Sequence, residues 1–517
     1  MTKITRSSGT TKSERYLAKL ADRTFLNLWA YPNVYRDEIV NGHRTGKELC
    51  DLLVVCGKHI IIFSDKENGW SEDKDTNVAW VRWYKRAVQK SVKQIRGAER
   101  WINEHPDRIF IDPACTQRLP IELPTIEKRK IKAIAIARGA YKASSEFFNG
   151  DSGSFMIQPN IKGGKHFDSS SPDFFPFRVG DVDPDGSFIH VMDDLAFDVV
   201  MRELDTITDF TDYLEKKEKF IRSGYLGLAS GEEDLLAYYL EHLTGTENIH
   251  GFPHPDGRPW EARDHLAIDG GYTEMLKSSQ YKRKKEADEN SYIWDRLIEA
   301  FTNHLLAGTT IVPDGKPLDV SKYEIGVSIM ANEPRLHRRM LGKGIIEVLE
   351  EKTPSVERKI NRRFRSMLPL PERPEDKIGY VFMTLEHPSR EMKGGYEKYR
   401  KVRSDMLLVY CLGLLKKYPN IKTIVGVATE PMENPRALNG SSEDMVFAEQ
   451  PPEWTPELEA DLAADLKDLD ILKEENINLE HRHVEEYPAV SEHKKEEFSN
   501  MNRHQRRAMM AKERRQK

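Results

Sequence analysis

Apolar positions along the chain recur at two periods. After a polar start, Tyr16, Leu17, Leu20, Phe25 and Leu28 share one broad face, which predicts an amphipathic helix capped by Ser13 and ended by Pro32. NVYRDEIV reads as a strand. ELCDLLVV (48–55) and HIIIFS (59–64) are apolar runs split by Gly57-Lys58, and they predict an antiparallel hairpin. Val81, Tyr84, Val88, Val92, Ile95, Ala98 and Ile102 then mark a long helix over 80–104, and IKAIAIA (131–137) a further buried strand.

Beyond this α-β-β-β-α-β order, residues 145–175 are rich in Ser, Gly, Asp and Pro and predict a loop. FRVGDV and SFIHVM around Asp185-Gly186 predict a second hairpin. Helical patterns dominate up to residue 310, broken by a long connection over 250–290. VERKINRRFRSMLP presents a basic helical face. IGYVFMTL, a long helix stopped by Pro419, and TIVGVATE predict a parallel strand pair with a helical crossover, and DMVFAE a third strand. The expected fold class is therefore α/β. An N-terminal unit with a mixed sheet (1–145) precedes a mainly helical α+β region (146–335), a smaller α/β unit (336–450) and an acidic segment with a basic tail (451–517).

Composition narrows the picture. The 517 residues are 38% hydrophobic, enough for a sizeable core, and the net charge of −5 excludes a chain coated in basic charge. The four cysteines include no C-x-x-C pair, so neither a zinc ribbon nor a disulfide framework is expected. No apolar stretch has the length of a signal peptide or a membrane span, so the expectation is a cytoplasmic protein without membrane attachment. Residues 451–500 hold fifteen Asp/Glu against five Lys/Arg, and the last fifteen residues hold seven Lys/Arg against one Glu. That tail is expected to be poorly ordered from about residue 478 onward and to recruit a protein partner or an anion.

One constellation carries chemistry. Asp51 interrupts an apolar strand, and a charge in such a place needs a partner or a metal. The hairpin register sets it opposite roughly residues 63–65, within reach of the Ser64-Asp65-Lys66 strand end. Carboxylates suit hard Mg²⁺, and a lysine beside them can stabilise the negative charge that develops during phosphodiester hydrolysis. Glu14 on the first helix can supply another carboxylate, and Glu48 is a further candidate on the Asp51 strand. Arg82, Lys85, Lys93 and Arg96 are expected to line a positive groove.

In this arrangement, residues 13–140 resemble the PD-(D/E)XK restriction-endonuclease-like superfamily, in particular its Mrr-like and nuclease-related branches. Glu14 resembles that family's helix glutamate, Asp51 its strand aspartate, Lys66 its lysine, and Ser91, Gln94 and Ala98 its helix motif. The resemblance implies an αβββαβ core and a nuclease using Mg²⁺ or Mn²⁺ held by Asp51, Asp65 and Glu14. It also implies a nucleic-acid partner, DNA ahead of RNA, and a role in defence against foreign nucleic acid. One position departs from the pattern: Ser64 stands where the family has Asp or Glu. Strand alternation points the adjacent Asp65 to the other face, so an active site requires the chain to turn at Ser64. The rival expectations are an inactive nuclease fold serving as a binding module and, ranked lowest, an active site in the 375–450 unit, which has no phosphate-binding glycine loop.

Overall fold

The computed structural model describes residues 4–40, 43–150, 153–244, 249–310, 320–350, 362–369, 377–387, 395–431, 443–473 and 477–489. It is a mixed α/β protein. Helix α1 (Lys12–Thr24) is capped by Thr11, two residues before the expected Ser13, because Thr11 and Glu14 close a reciprocal capping box. Strands β1 (Ala30–Val40), β2 (His43–Cys56) and β3 (His59–Glu67) form an antiparallel meander. Gly57, at φ +55, makes the tight turn of the expected β2–β3 hairpin.

The chain next runs through α2 (Thr76–Tyr84), one π-helical turn (Lys85–Gln89) and α3 (Lys90–Glu104). After the short β4 (Ile109–Phe110) it returns as β5 (Lys130–Arg138), parallel to β3. The crossover length is what a parallel pair needs. β3 is a continuous apolar run because both its faces are covered. Phe63 packs against Phe25, Phe197 and Phe210 on one side, and Ser64 meets Ser91 of α3 on the other.

The first sheet has the order β4-β1-β2-β3-β5-β8. Its last strand comes from beyond residue 145. After α4 (Tyr141–Phe147), β6 (Met156–Lys162) and β7 (Arg178–Asp181) join a different sheet, while β8 (Ile189–Met192) pairs with β5. The expected hairpin around Asp185-Gly186 does not form: β7 pairs with β6 and β8 with β5, in different sheets.

Helices α5 (Asp194–Glu203) and α6 (Ile207–Ser223), strand β9 (Leu226–Ala229), helix α7 (Glu232–Glu241), the short pair β10 (Leu243–Thr244) and β11 (Ile249–His250), and β12 (Leu266–Ile268) complete the second layer. The stretch expected as a long connection contains α8 (Gly271–Lys277) and α9 (Ser279–Asp288). Both are held through Glu203, which accepts hydrogen bonds from Tyr272 and Tyr281. Helices α10 (Tyr292–Ala307), α11 (Val320–Ala331) and α12 (Arg335–Glu350) lead to the last sheet.

That sheet has the order β13 (Arg362–Met367), β14 (Ile378–Leu385), β15 (Thr423–Thr429), β16 (Asp444–Glu449), with β14 and β15 parallel across α13 (Gly395–Lys417) as expected. Arg362, Arg363 and Arg365 are strand residues, not a helical face: they pair antiparallel with β14, and Phe364 among them stacks on Tyr410 of α13. Among the described residues the largest apolar cluster runs from Leu17 through Trp294 to Val427, with separate clusters between α13 and the last sheet and between α6 and the second sheet. Among the described residues no helix is long and apolar enough to cross a membrane.

Helix α14 (Pro456–Asp468) follows, and residues 477–489 then lie across α7, α9 and α12. This corrects the expectation of poor order from residue 478; residues 490–517 lie outside the described part. The segment is bound by charge. Glu486 is buried against Lys284 at 2.9 Å and His250 at 3.3 Å. Arg339 donates to the Glu485 carbonyl at 2.8 Å, and the Tyr487 hydroxyl donates to the Leu240 carbonyl at 2.6 Å. Burial alone would raise the Glu486 pKa, but the attraction of Lys284 and the hydrogen bond from His250 outweigh it and hold the carboxyl well below the ordinary range.

A group held below its unfolded pKa contributes stability above that pKa and loses it as the pH falls through the folded value. Glu486→Ala should therefore destabilise the protein by about 3 kcal/mol at pH 7, since it breaks a buried pair. The difference from wild type should shrink as the pH drops below roughly 4, the usual glutamate range. Denaturant unfolding at several pH values measures both.

Candidate active site

The site is built beside α3 where the β2–β3 ladder opens, next to the last residues of β3. Leu52 pairs with Phe63, so Asp51 stands beside the end of β3 as the hairpin register predicts. Its side chain is 3% exposed. The carboxylate is satisfied locally: Oδ2 accepts the Asp65 backbone N–H at 2.6 Å and Lys66 Nζ at 3.0 Å, while Gln94 Nε2 lies 3.5 Å from Oδ1. Gln94 is steadied in turn by Ser64, whose hydroxyl donates to Gln94 Oε1 at 3.0 Å and lies 3.1 Å from Ser91 Oγ. Ser91 donates back to the Ala87 carbonyl at 2.8 Å. Lys66 keeps 29% of its side chain open to solvent, so the amino group can meet a ligand from outside.

Asp65 is placed differently from the expectation. The chain does not turn at Ser64, because β3 stays paired to β5 through Ser64–Ala135, Asp65–Ile136, Lys66–Ala137 and Glu67–Arg138. Alternation along that unbroken ladder sends the Asp65 side chain to the α1 face. There it meets Arg138 Nε at 2.9 Å, and Arg138 also reaches Asp194 at 3.2 Å. Burial pushes the Asp65 carboxyl up to about 6 against the pull of Arg138. Only its backbone N–H serves Asp51. The expected metal-ligand role for the Asp65 side chain is corrected on this ground.

Glu14 closes the capping box of α1, accepting the backbone N–H of Thr10 at 2.8 Å and of Thr11 at 3.2 Å. It reaches the site through Asn33, a residue sequence reasoning missed. Asn33 Nδ2 donates to Glu14 Oε2 and to Glu48 Oε1, each at 3.0 Å. Asn33 has φ +50, a left-handed conformation that Asn tolerates better than most residues, and it stands across from Asp51 between the Pro32–Leu52 and Val34–Cys50 pairs. Desolvation raises the Glu14 pKa, but the hydrogen bonds from Thr10, Asn33 and Thr11 bring it down to about 2. Glu48 shifts upward instead: desolvation raises it, and the nearby charges of Asp51 and Glu14 add to the rise.

Asn33 thus links Glu14 to Glu48, while Lys66 pairs with Asp51. Among the described residues no three of His, Cys, Asp and Glu converge on a single point in this arrangement. Of the cations expected in a positive groove, Arg96 is engaged with Asp183 at 2.6 Å and Glu99 at 2.7 Å. Arg82, Lys85 and Lys93 are exposed. Trp80, Trp83 and Tyr84 are core residues, and Trp101 lies between the guanidinium groups of Arg36 and Arg108. All four cysteines are buried, and none of them forms a disulfide. Comparison with models of known families, with characterised proteins and with solved structures finds no match.

The placement of Asp65 makes a separable prediction. Asp65→Ala leaves Arg138 buried without its main partner and should cost about 3 kcal/mol in denaturant unfolding. Divalent-metal affinity of the folded fraction should stay unchanged. A loss of metal binding without loss of stability would return Asp65 to the ligand set.

Proposed function

We propose that the chain is a metal-dependent nuclease of the restriction-endonuclease-like type, hydrolysing phosphodiester bonds of DNA ahead of RNA with Mg²⁺ or Mn²⁺. The single observation that carries this is the pairing of Asp51, inside β2, with Lys66, near the end of the adjacent β3, backed by Gln94 from the crossover helix. The element order α1-β1-β2-β3-α3-β5 supports the same fold type. Carboxylate oxygens are the donors a hard divalent cation takes, one or two of them with water filling the rest, so Asp51 with a neighbouring carboxylate fits.

The cation, when bound, polarises the phosphate and lowers the pKa of water. The rest falls to this chain's own groups. Lys66 Nζ, 3.0 Å from Asp51 Oδ2 and partly open to solvent, would stabilise the negative charge that grows on a phosphate's oxygens. The Asp65 N–H keeps the Asp51 carboxylate oriented. Gln94, locked by Ser64, holds the other carboxylate oxygen or orients water. A role in defence against foreign nucleic acid follows from the family resemblance.

A binding module without catalysis is the second reading, favoured by Ser64 in the acidic position and by Asp65 turned to the rear. Incubation with Mg²⁺ or Mn²⁺ against plasmid, linear duplex, single-stranded DNA and RNA separates the two. Cleavage should occur, and Asp51→Ala and Lys66→Ala should each lower it by at least about a hundredfold, the scale of a lost charge-stabilising group, with folding intact by circular dichroism. Binding without cleavage by wild type supports the module.

A further inference from the structure

In a regular strand Glu48 and Asp51, three residues apart, would face opposite sides of the sheet. They do not, because β2 carries a bulge. Val34 pairs with Cys50 and Tyr35 with Glu48, leaving Leu49 as an extra residue. A bulge of this kind re-aims the side chain beside it. Leu49 turns into the core, and Glu48 Oε1 accepts from Asn33 Nδ2 at 3.0 Å, near enough to Asp51 and Lys66 for their charges to act on its carboxyl. Glu48 itself borders solvent. Ser64, at the position where a second acid is missing, points at Gln94 and Ser91 and offers only a hydroxyl.

We infer that Glu48, carried to the Asp51 face by the bulge at Leu49, is the second carboxylate of this site and substitutes for the absent acid at position 64. The inference rests on the metal-dependent reading above. Asn33 is the positioning residue. Its two amide hydrogens bond Glu14 and Glu48, and a divalent cation beside Asp51 would compete with it for Glu48. Glu14 stays with Thr10 and Thr11, whose hydrogen bonds hold it at the helix end. The cation would therefore be held by Asp51 and Glu48, with water completing the shell as Mg²⁺ prefers.

The test is Mn²⁺ binding by titration calorimetry on the full chain, with no nucleic acid present. Glu48→Gln keeps the shape and the Asn33 contact while removing the charge. It should weaken Mn²⁺ binding by more than the roughly 10–100-fold that a lost outer-shell partner costs, as Asp51→Asn should. Glu14→Gln should have a smaller effect. Adding an acid at the missing position, in the double variant Glu48→Gln/Ser64→Asp, should recover binding. Wild-type affinity in Glu48→Gln, with binding lost in Asp51→Asn, overturns the role of Glu48 and leaves the metal-dependent reading standing. No Mn²⁺ binding by wild type overturns both.

Discussion

A carboxylate in the middle of an apolar strand must be satisfied where it stands, because leaving the strand would unmake the sheet around it. Asp51 is in that position. Its partners are a backbone N–H from the next strand, a lysine from the same strand end and an amide from the crossover helix. Each depends on a separate part of the fold: the Gly57 turn sets the hairpin register, the parallel pairing with β5 keeps β3 extended as far as Lys66, and the crossover helix brings Gln94 over the strand end. Shifting the register by one residue would exchange Lys66 for Asp65 beside Asp51 and put two carboxylates together in a dry place.

The same logic of buried charge runs through the rest of the chain and ties distant segments to one core. Arg335 bonds Asp205 and Asp295, joining α12 to the turn before α6 and to α10. Lys217 pairs with Glu232 beneath the second sheet, so the acidic start of α7 is a structural feature more than a helix-dipole one. Lys284 and Arg339 share Asp288, and Glu486 from the last described segment balances them. Pairs of this kind add little net stability when made but are costly to break, which favours one arrangement of the segments over others.

How far the sequence predicts all this depends on the range of the interaction. The hairpin, β5, the crossover helix and the parallel β14–β15 pair are legible because each has its own apolar period and turn residues. The closeness of Asp51 and Lys66 is legible because a charge inside an apolar run stands out and the hairpin register places the end of β3 opposite it, whereas Gln94 is singled out only through the family resemblance. Other features are set by pairing across strands and leave no such mark. The bulge at Leu49 follows from how β1 meets β2, and the left-handed Asn33 from that same junction. The continuation of β3 past Ser64 is imposed by β5, seventy residues on, and it decides the fate of Asp65. The π-helical turn at Lys85–Gln89, which resets the face that α3 presents to Asp51, has no sequence signal beyond a good helical pattern. The packing of residues 477–489 was hidden by their charge, which reads as solvation until the buried Lys284 is seen opposite.

The central claim is that Asp51 is the anchor of a cation site on the α3 face of the sheet, with Asp65 excluded from it. Crystals soaked in Mn²⁺ and measured at the manganese absorption edge test it most directly. The account predicts an anomalous peak bonded to Asp51, with Glu48 moved from Asn33 onto the metal, Lys66 released from Asp51, and Asp65 still paired with Arg138. A peak whose ligands include the Asp65 carboxylate, or no peak at Asp51 with Lys66 still bonded to it, would contradict the account.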